Sequence, residues 1–142
     1  MNADANLNLD ALNKQALKNA MGCFATGVTV VTTNVDGQDY GMTCNSFNTV
    51  SLDPALVLWS IRKESHSRQA FIEGGGYSVS VLGAHQRDMA LRFAKGDPLG
   101  RFDGVPVVRL PSGRLMLADT VAWFDCTLEQ VIDAGDHHVL IG

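Results

Sequence analysis

A chain of 142 residues that is 46% hydrophobic and 18% charged has the composition of one folded domain with a real core, which excludes disordered and fibrous classes. Its net charge of -4, with no long basic stripe, argues against a nucleic-acid backbone as partner. The basic residues gather only locally, as Arg62, Lys63 and Arg68 and then Arg87 and Arg92, which leaves room for a local anion site. Cys23, Cys44 and Cys126 are widely spaced and form no CxxC pair, so neither a zinc centre nor a disulfide framework is expected. The first residues lack a basic stretch followed by an apolar run, and no apolar stretch is long enough to span a bilayer. The expectation is a soluble, cytoplasmic protein without membrane contact or bound metal.

Along the chain, Leu9, Leu12, Ala16, Leu17 and Ala20 recur at helical spacing between a candidate N-cap, Asn8, and a stop at Gly22. Val28 to Thr33 is entirely β-branched, which crowds a helix and suits a strand. Asp36-Gly37 then signals a hairpin, with a return strand through Tyr40 to Thr43. Ala55 to Ile61 is nearly continuous apolar sequence after Asp53-Pro54 and predicts a strand buried on both faces. A short helix is expected from Ser67 to Glu73, ended by Gly74-Gly75-Gly76, and a strand from Tyr77 to Leu82. The next helix covers His85 to Ala94, with Met89, Ala90, Phe93 and Ala94 on one face, and Lys95 to Pro106 predicts a loop. From Asp119 the pattern is β again. Ala122, Phe124, Cys126 and Leu128 share one face, opposite Trp123, Asp125, Thr127 and Glu129, and His137 to Ile141 forms a last strand. Many short strands without regular strand–helix alternation predict a mainly β, closed antiparallel barrel rather than a doubly wound sheet.

The standard phosphate and hydrolase signatures are missing: no GxGxxG after a strand, no P-loop, no GxSxG and no HExxH. The segment Gly41 to Pro54 is instead small and polar between two strand-like runs. It reads either as a connecting loop of turn-favouring residues or as the rim of a planar polar heterocycle.

The run MGCFATGVTVVTT (Met21 to Thr33), followed by GMTCNSFNTVSLDPALVLWSI (Gly41 to Ile61), Phe93-Ala94 and Gly135-Asp136-His137, resembles the short-chain flavin reductase family. Those proteins are the reductase components of two-component flavin-dependent monooxygenases. The resemblance implies an FMN-binding split barrel with Greek-key-like connections and a few flanking helices, in one domain over residues 1–142. It further implies a homodimer that reduces FMN or FAD with NADH or NADPH and supplies a monooxygenase partner. Relatives continue beyond the position of Gly142, so the family's C-terminal tail is expected to be missing here.

Carried over residue by residue, the flavin contacts are Thr43, Cys44, Asn45, Ser46, Phe47, Thr49 and Val50. Lys63, Glu64, Ser65, His66 and Ser67 match the segment at the ribityl-phosphate end, and Arg92 and Phe93 match a further contact. His137 matches a histidine placed near the nicotinamide. The residue types suit this chemistry, because hydride transfer is done by the cofactors while the protein supplies position and electrostatics. Each assignment has a plainer rival. Ser65 and Ser67 also suit helix capping, Phe93 the core and Arg92 a solvated helix face. His137 and His138 point to opposite sides of a strand. Two other functions of the same barrel class compete: a flavin- or haem-binding carrier without turnover, and an oxidase of a pyridoxamine-type substrate. The latter calls for more basic phosphate ligands than Arg62, Lys63 and Arg68 provide.

Overall fold

The computed structural model describes residues 14–142. In chain order its elements are α1 (Lys14–Gly22), β1 (Thr29–Val35), β2 (Gln38–Cys44), β3 (Asn48–Leu52), β4 (Ala55–Arg62), α2 (Arg68–Glu73), β5 (Gly76–Val81) and α3 (Arg87–Ala94). Five further strands follow: β6 (Val107–Arg109), β7 (Leu115–Leu117), β8 (Ala122–Thr127), β9 (Gln130–Ala134) and β10 (His137–Ile141). Every strand pair is antiparallel. Two four-stranded sheets, ordered β2-β1-β5-β8 and β3-β4-β10-β9, are accompanied by the β6–β7 hairpin. The mainly β class read from the sequence holds, and the barrel is split into two sheets rather than closed by one ladder.

The β1–β2 hairpin turns where Asp36-Gly37 predicts it. Both residues have positive φ, 49° and 83°, as a two-residue hairpin turn requires. β1 is buried from Thr29 to Thr33, on both faces. Its valines fill the core, and its threonines satisfy their hydroxyls within it. Thr29 donates to the Cys44 carbonyl (2.8 Å) and Thr33 to the Gly76 carbonyl (2.8 Å). Thr32 meets Ser78 Oγ (2.7 Å) and donates to the Leu115 carbonyl (2.5 Å), so β1, β5 and β7 are tied through one buried polar cluster. A buried hydroxyl is tolerated only when so paired.

The expectation that β4 is buried on both faces is corrected. Only Trp59 and Ile61 are buried in β4, while Leu56 and Leu58 on its other face are half-exposed. The long apolar run reflects a strand with one core face and one face that the described residues do not cover fully. The strand buried on both sides is β1, whose threonines disguise it. Three short strands escaped the sequence reading: β3, within the polar segment after Cys44, and the three-residue β6 and β7. The expected helix at 85–94 begins as a 3-10 turn over Ala84–Gln86 before α3. Asn8, Leu9 and Leu12 lie outside the described residues, and no residue of α1 is buried, so Ala16, Leu17 and Ala20 lie open to solvent.

The main core gathers Val31, Cys44, Trp59, Ile61, Phe71, Tyr77, Val79 and Leu140. Trp59 packs edge-on against Phe71 (4.8 Å) and Tyr77 (5.8 Å). Tyr77 joins the sheets: from β5 its hydroxyl donates to the carbonyls of Val57 on β4 (3.3 Å) and Leu140 on β10 (3.2 Å). Burial pushes its phenol well above the ordinary tyrosine value, so it remains a donor. A smaller cluster of Val30, Phe93, Val105 and Leu117 seats α3 against the first sheet, and bonds from Thr43 to the Ala90 carbonyl and from Arg101 to the Gly41 carbonyl hold β2 beside α3 and its following loop.

Candidate functional site

Where the two sheets part, a cavity of about 660 Å³ opens among the end of β2, the turn after β4, the end of α3 with its loop, and the start of β10. Sequence-distant segments converge there: 42–46, 60 and 62, 64–67, 93–94 with 98 and 101, and His137. Of the site residues expected from the sequence, Thr43, Cys44, Asn45, Ser46, Glu64, Ser65, His66, Ser67, Phe93 and His137 line this cavity.

Several of these side chains are occupied in holding the walls. Thr43 Oγ1 donates to the Ala90 carbonyl (2.5 Å) and pins β2 to α3. Ser46 Oγ accepts from the Ser60 amide (2.9 Å), donates to the Ser60 carbonyl (3.3 Å) and sits 3.1 Å from Cys44 Sγ. The connector between β2 and β3 is thereby fastened to β4 across the gap between sheets. Because β2 ends at Cys44 and β3 begins at Asn48, the amides of residues 45–47 are not consumed by strand pairing.

The turn after β4 presents Glu64, Ser65, His66 and Ser67. Ser65 Oγ accepts a long bond from the Ser67 amide (3.3 Å). Ser67 is buried and precedes α2, but its side chain makes no capping bond, so capping does not account for it. On β10, His137 stands opposite Arg62, and its Nδ1 donates to Asp136 Oδ1 (2.7 Å). That contact orients the imidazole and holds the Asp136 carboxyl below the usual carboxylate range. His138, on the other side of β10, does not line the cavity, and its buried Nδ1 has no partner among the described residues. Arg62 and Arg101 stand against Glu64 as the charged groups of the lining besides the histidines. The cavity is therefore positive within a chain whose net charge is -4, which favours an anionic ligand.

The remaining expected residues lie elsewhere. Phe47, Thr49 and Val50 line a second, more apolar cavity of about 870 Å³ with Val57, Phe124 and Cys126. Phe47 stacks at a tilt on Phe124, 5.4 Å away. Lys63 pairs with Asp133 (2.5 Å), and this bond holds the Asp133 carboxyl below its ordinary value. Arg92 faces away from the first cavity and donates to loop carbonyls, Nε to Arg101 (2.7 Å) and Nη2 to Gly100 (3.3 Å) and Asp103. Met42, Ser60, Arg62, Ala94, Pro98 and Arg101 complete the lining and were not singled out as cofactor ligands from the sequence. Arg62 carried a signal, its place in a basic cluster. Arg101 carried none, lying in a loop without periodicity.

Residues 21–142 match the family described as flavin reductase like domain. The chain belongs to that family. This flavin reductase-like chain is 43% identical over 136 residues to the reductase component of a flavin-dependent trigonelline monooxygenase from Acinetobacter baylyi, covering 94% of this chain and 44% of that protein. It is 41% identical over 131 residues to an FMN reductase (NADH) from Agrobacterium fabrum, covering 92% of this chain and 74% of the other. In three dimensions it resembles the NADH:FAD oxidoreductase of Streptomyces globisporus, whose structure was solved in complex with NAD and FAD fragments. That likeness has a TM-score of 0.87 and 37% identity, over 92% of this chain and 78% of the other. The chain spans about half the length of several curated relatives it matches, between 43% and 58%.

Among the described residues, no helix is long and apolar enough to cross a membrane.

Proposed function

We propose that this flavin reductase-like domain is an NAD(P)H:flavin oxidoreductase that passes a hydride from NADH or NADPH to FMN or FAD and feeds reduced flavin to a monooxygenase. The observation that carries the reading is the convergence of residues 42–46, 60, 62, 64–67, 93, 94, 98, 101 and 137 on one positively lined cavity. Its volume of about 660 Å³ suits a cofactor. The names of the relatives support the same reading, as FMN reductase (NADH) and NADH:FAD oxidoreductase.

A bound flavin supplies the two-electron chemistry, accepting a hydride from the nicotinamide. The protein's part is to hold and polarise. Thr43 and Ser46, fixed to α3 and β4, keep the floor rigid, and the amides of Asn45 and Ser46 are the donors closest in kind to what a flavin's pyrimidine edge requires. Ser65 and Ser67, with Arg62 nearby in sequence, supply hydroxyl and guanidinium donors for a phosphate. His137, oriented by Asp136, offers its second ring nitrogen at the same cavity as a hydrogen-bond partner for a nicotinamide carboxamide.

The chain further reads as a single such domain, acting in the cytoplasm as a homodimer. Leu52 is 97% exposed and Trp123 48%, with Val50, Val121, Phe124, Val131 and Ile132 also exposed on or beside β3, β8 and β9. Large apolar side chains exposed in this number are covered in a working protein, and a second copy is the economical cover. A second chain also explains the uncovered face of β4.

The reading is tested by following NADH and NADPH consumption with and without FMN or FAD. Flavin-dependent oxidation supports it. Tight flavin binding with no nucleotide oxidation assigns the chain to the carrier class instead.

A further inference from the structure

Arg101 reaches the cavity from a wall separate from the turn after β4, beside Phe93, Ala94 and Pro98. Three contacts place it there. Arg92, on α3, donates to the backbone carbonyls of Gly100, Arg101 and Asp103 and staples the loop to the helix. Arg101 Nη1 donates to the Gly41 carbonyl on β2 (2.9 Å). At Gly41 a Cβ would stand 2.8 Å from Phe102 Cζ and 2.9 Å from Phe93 Cε1, so strand, helix and loop touch with no room to spare.

The guanidinium so placed is only partly used. Arg101 Nε is shielded from solvent and has no partner among the described residues. Arg109 and Arg114, by contrast, are matched to Asp39 and Asp125. Asp97, whose charge favours the Arg101 cation, has its Oδ1 engaged by the Leu99 amide. Burial lowers the Arg101 pKa from its ordinary value, yet a guanidinium stays charged at neutral pH. A charged donor shielded from water and left unpaired is costly unless a ligand or an ordered water completes it.

We propose that Arg101 binds a phosphate group of a dinucleotide, as a second anion site of the cavity distinct from Ser65 and Ser67, and that Arg92 is its positioning residue. This rests on the flavin reductase reading of the cavity. FMN carries one phosphate, for which the 65–67 hydroxyls suffice. A separate cation on another wall fits a ligand with a further phosphate, in the diphosphate of FAD or of the nicotinamide dinucleotide.

The test uses the intact chain and its Arg101→Gln, Arg101→Lys and Arg92→Gln variants. Dissociation constants are measured for riboflavin, FMN and FAD, and KM for NADH and for reduced nicotinamide mononucleotide, which lacks the diphosphate. The expected result for R101Q is a rise of about tenfold for FAD or for NADH, the loss of one charge-assisted hydrogen bond, with riboflavin and the mononucleotide within about twofold. Which of the two dinucleotides responds identifies the source of the phosphate. R101K keeps the charge and recovers part of the loss, and R92Q reproduces the selective loss. Equal losses for riboflavin and FAD, and for the mononucleotide and NADH, reduce Arg101 to a structural role and overturn the proposal, as does no change in any constant. A wild-type chain that binds riboflavin and FMN but shows no R101Q effect sinks only the Arg101 assignment. A wild-type chain that binds no flavin sinks the reductase reading and this proposal together.

Discussion

Replacing Ser65 and Ser67 together by alanine separates phosphate recognition from fold maintenance, because the structure asks little else of these hydroxyls. Ser67 makes no capping bond to α2, and Ser65 accepts only a 3.3 Å bond from the Ser67 amide. A bond that long is worth about 0.5–1 kcal/mol, so the double variant loses only a few degrees of melting temperature. A hydrogen bond to a charged phosphate contributes about 1.5 kcal/mol at the low end of its range, and two of them multiply to roughly 100-fold in affinity. The prediction is that FMN binds the double variant about 30- to 100-fold more weakly, while riboflavin, which has the same ring and no phosphate, changes by less than about threefold. Fluorescence titration of both ligands on both proteins reads the difference, with the melting curve as control. Equal losses for FMN and riboflavin would refute the phosphate assignment and leave the two serines as parts of the turn.

Other consequences follow from the packing around the cavity. Gly41→Ala drives a methyl into Phe93 and Phe102 and costs about 1–3 kcal/mol in urea unfolding, with weaker flavin binding alongside. An unchanged midpoint contradicts that packing. Tyr77→Phe removes the donor shared by the Val57 and Leu140 carbonyls and costs about 1 kcal/mol; a stabilised variant would show that the sheets are not joined there. Burial, helped by the Asp125 charge, pushes the Cys126 thiol up to about 11 from an ordinary value of 9.0. At pH 8 a disulfide reagent therefore modifies exposed Cys23 at once and leaves Cys126 until the chain unfolds. A folded pKa above the unfolded one means that stability is whole below pH 9 and falls as pH rises toward 11, so the melting temperature declines across that window. Buried Tyr77, shifted the same way, extends the decline, and a flat alkaline profile would show both groups to be solvated.

How much of this was legible in the sequence depended on whether a segment's structure is set locally. The Val28–Thr33 run and Asp36-Gly37 fix a strand and a turn by their own chemistry, and both stand where expected. β3 has almost no buried residue and exists because it pairs with β4, through a register shift between Thr49 and Ser51, so no periodicity announces it. β6 and β7 are three residues each, too short to show a period of two. The two-sided burial expected of β4 belongs instead to β1, whose sequence pattern announces a strand without saying how deeply it is buried. Threonine counts as polar until its hydroxyl finds a carbonyl, and a continuous apolar run does not say what covers its second face.

The site shows the same division. The segments around residues 43–46 and 64–67 could be named because the resemblance covers them, and they meet in one cavity. Arg92 is close to that cavity in sequence but acts on the backbone of the loop that carries Arg101. Arg101 itself, placed by contacts to residues 41 and 92, is visible only once the chain is folded. Phe47, Thr49 and Val50 follow the loop in sequence yet line the second cavity, where β3 runs as the edge strand beside β4.

A structure of the chain bound to FMN chooses directly between those two cavities. The ring is expected against residues 43–46 and the phosphate at Ser65 and Ser67, with His137 facing the open side. A ring seated instead between Phe47, Val57 and Phe124, with no ligand contact to residues 62–67, would overturn that expectation.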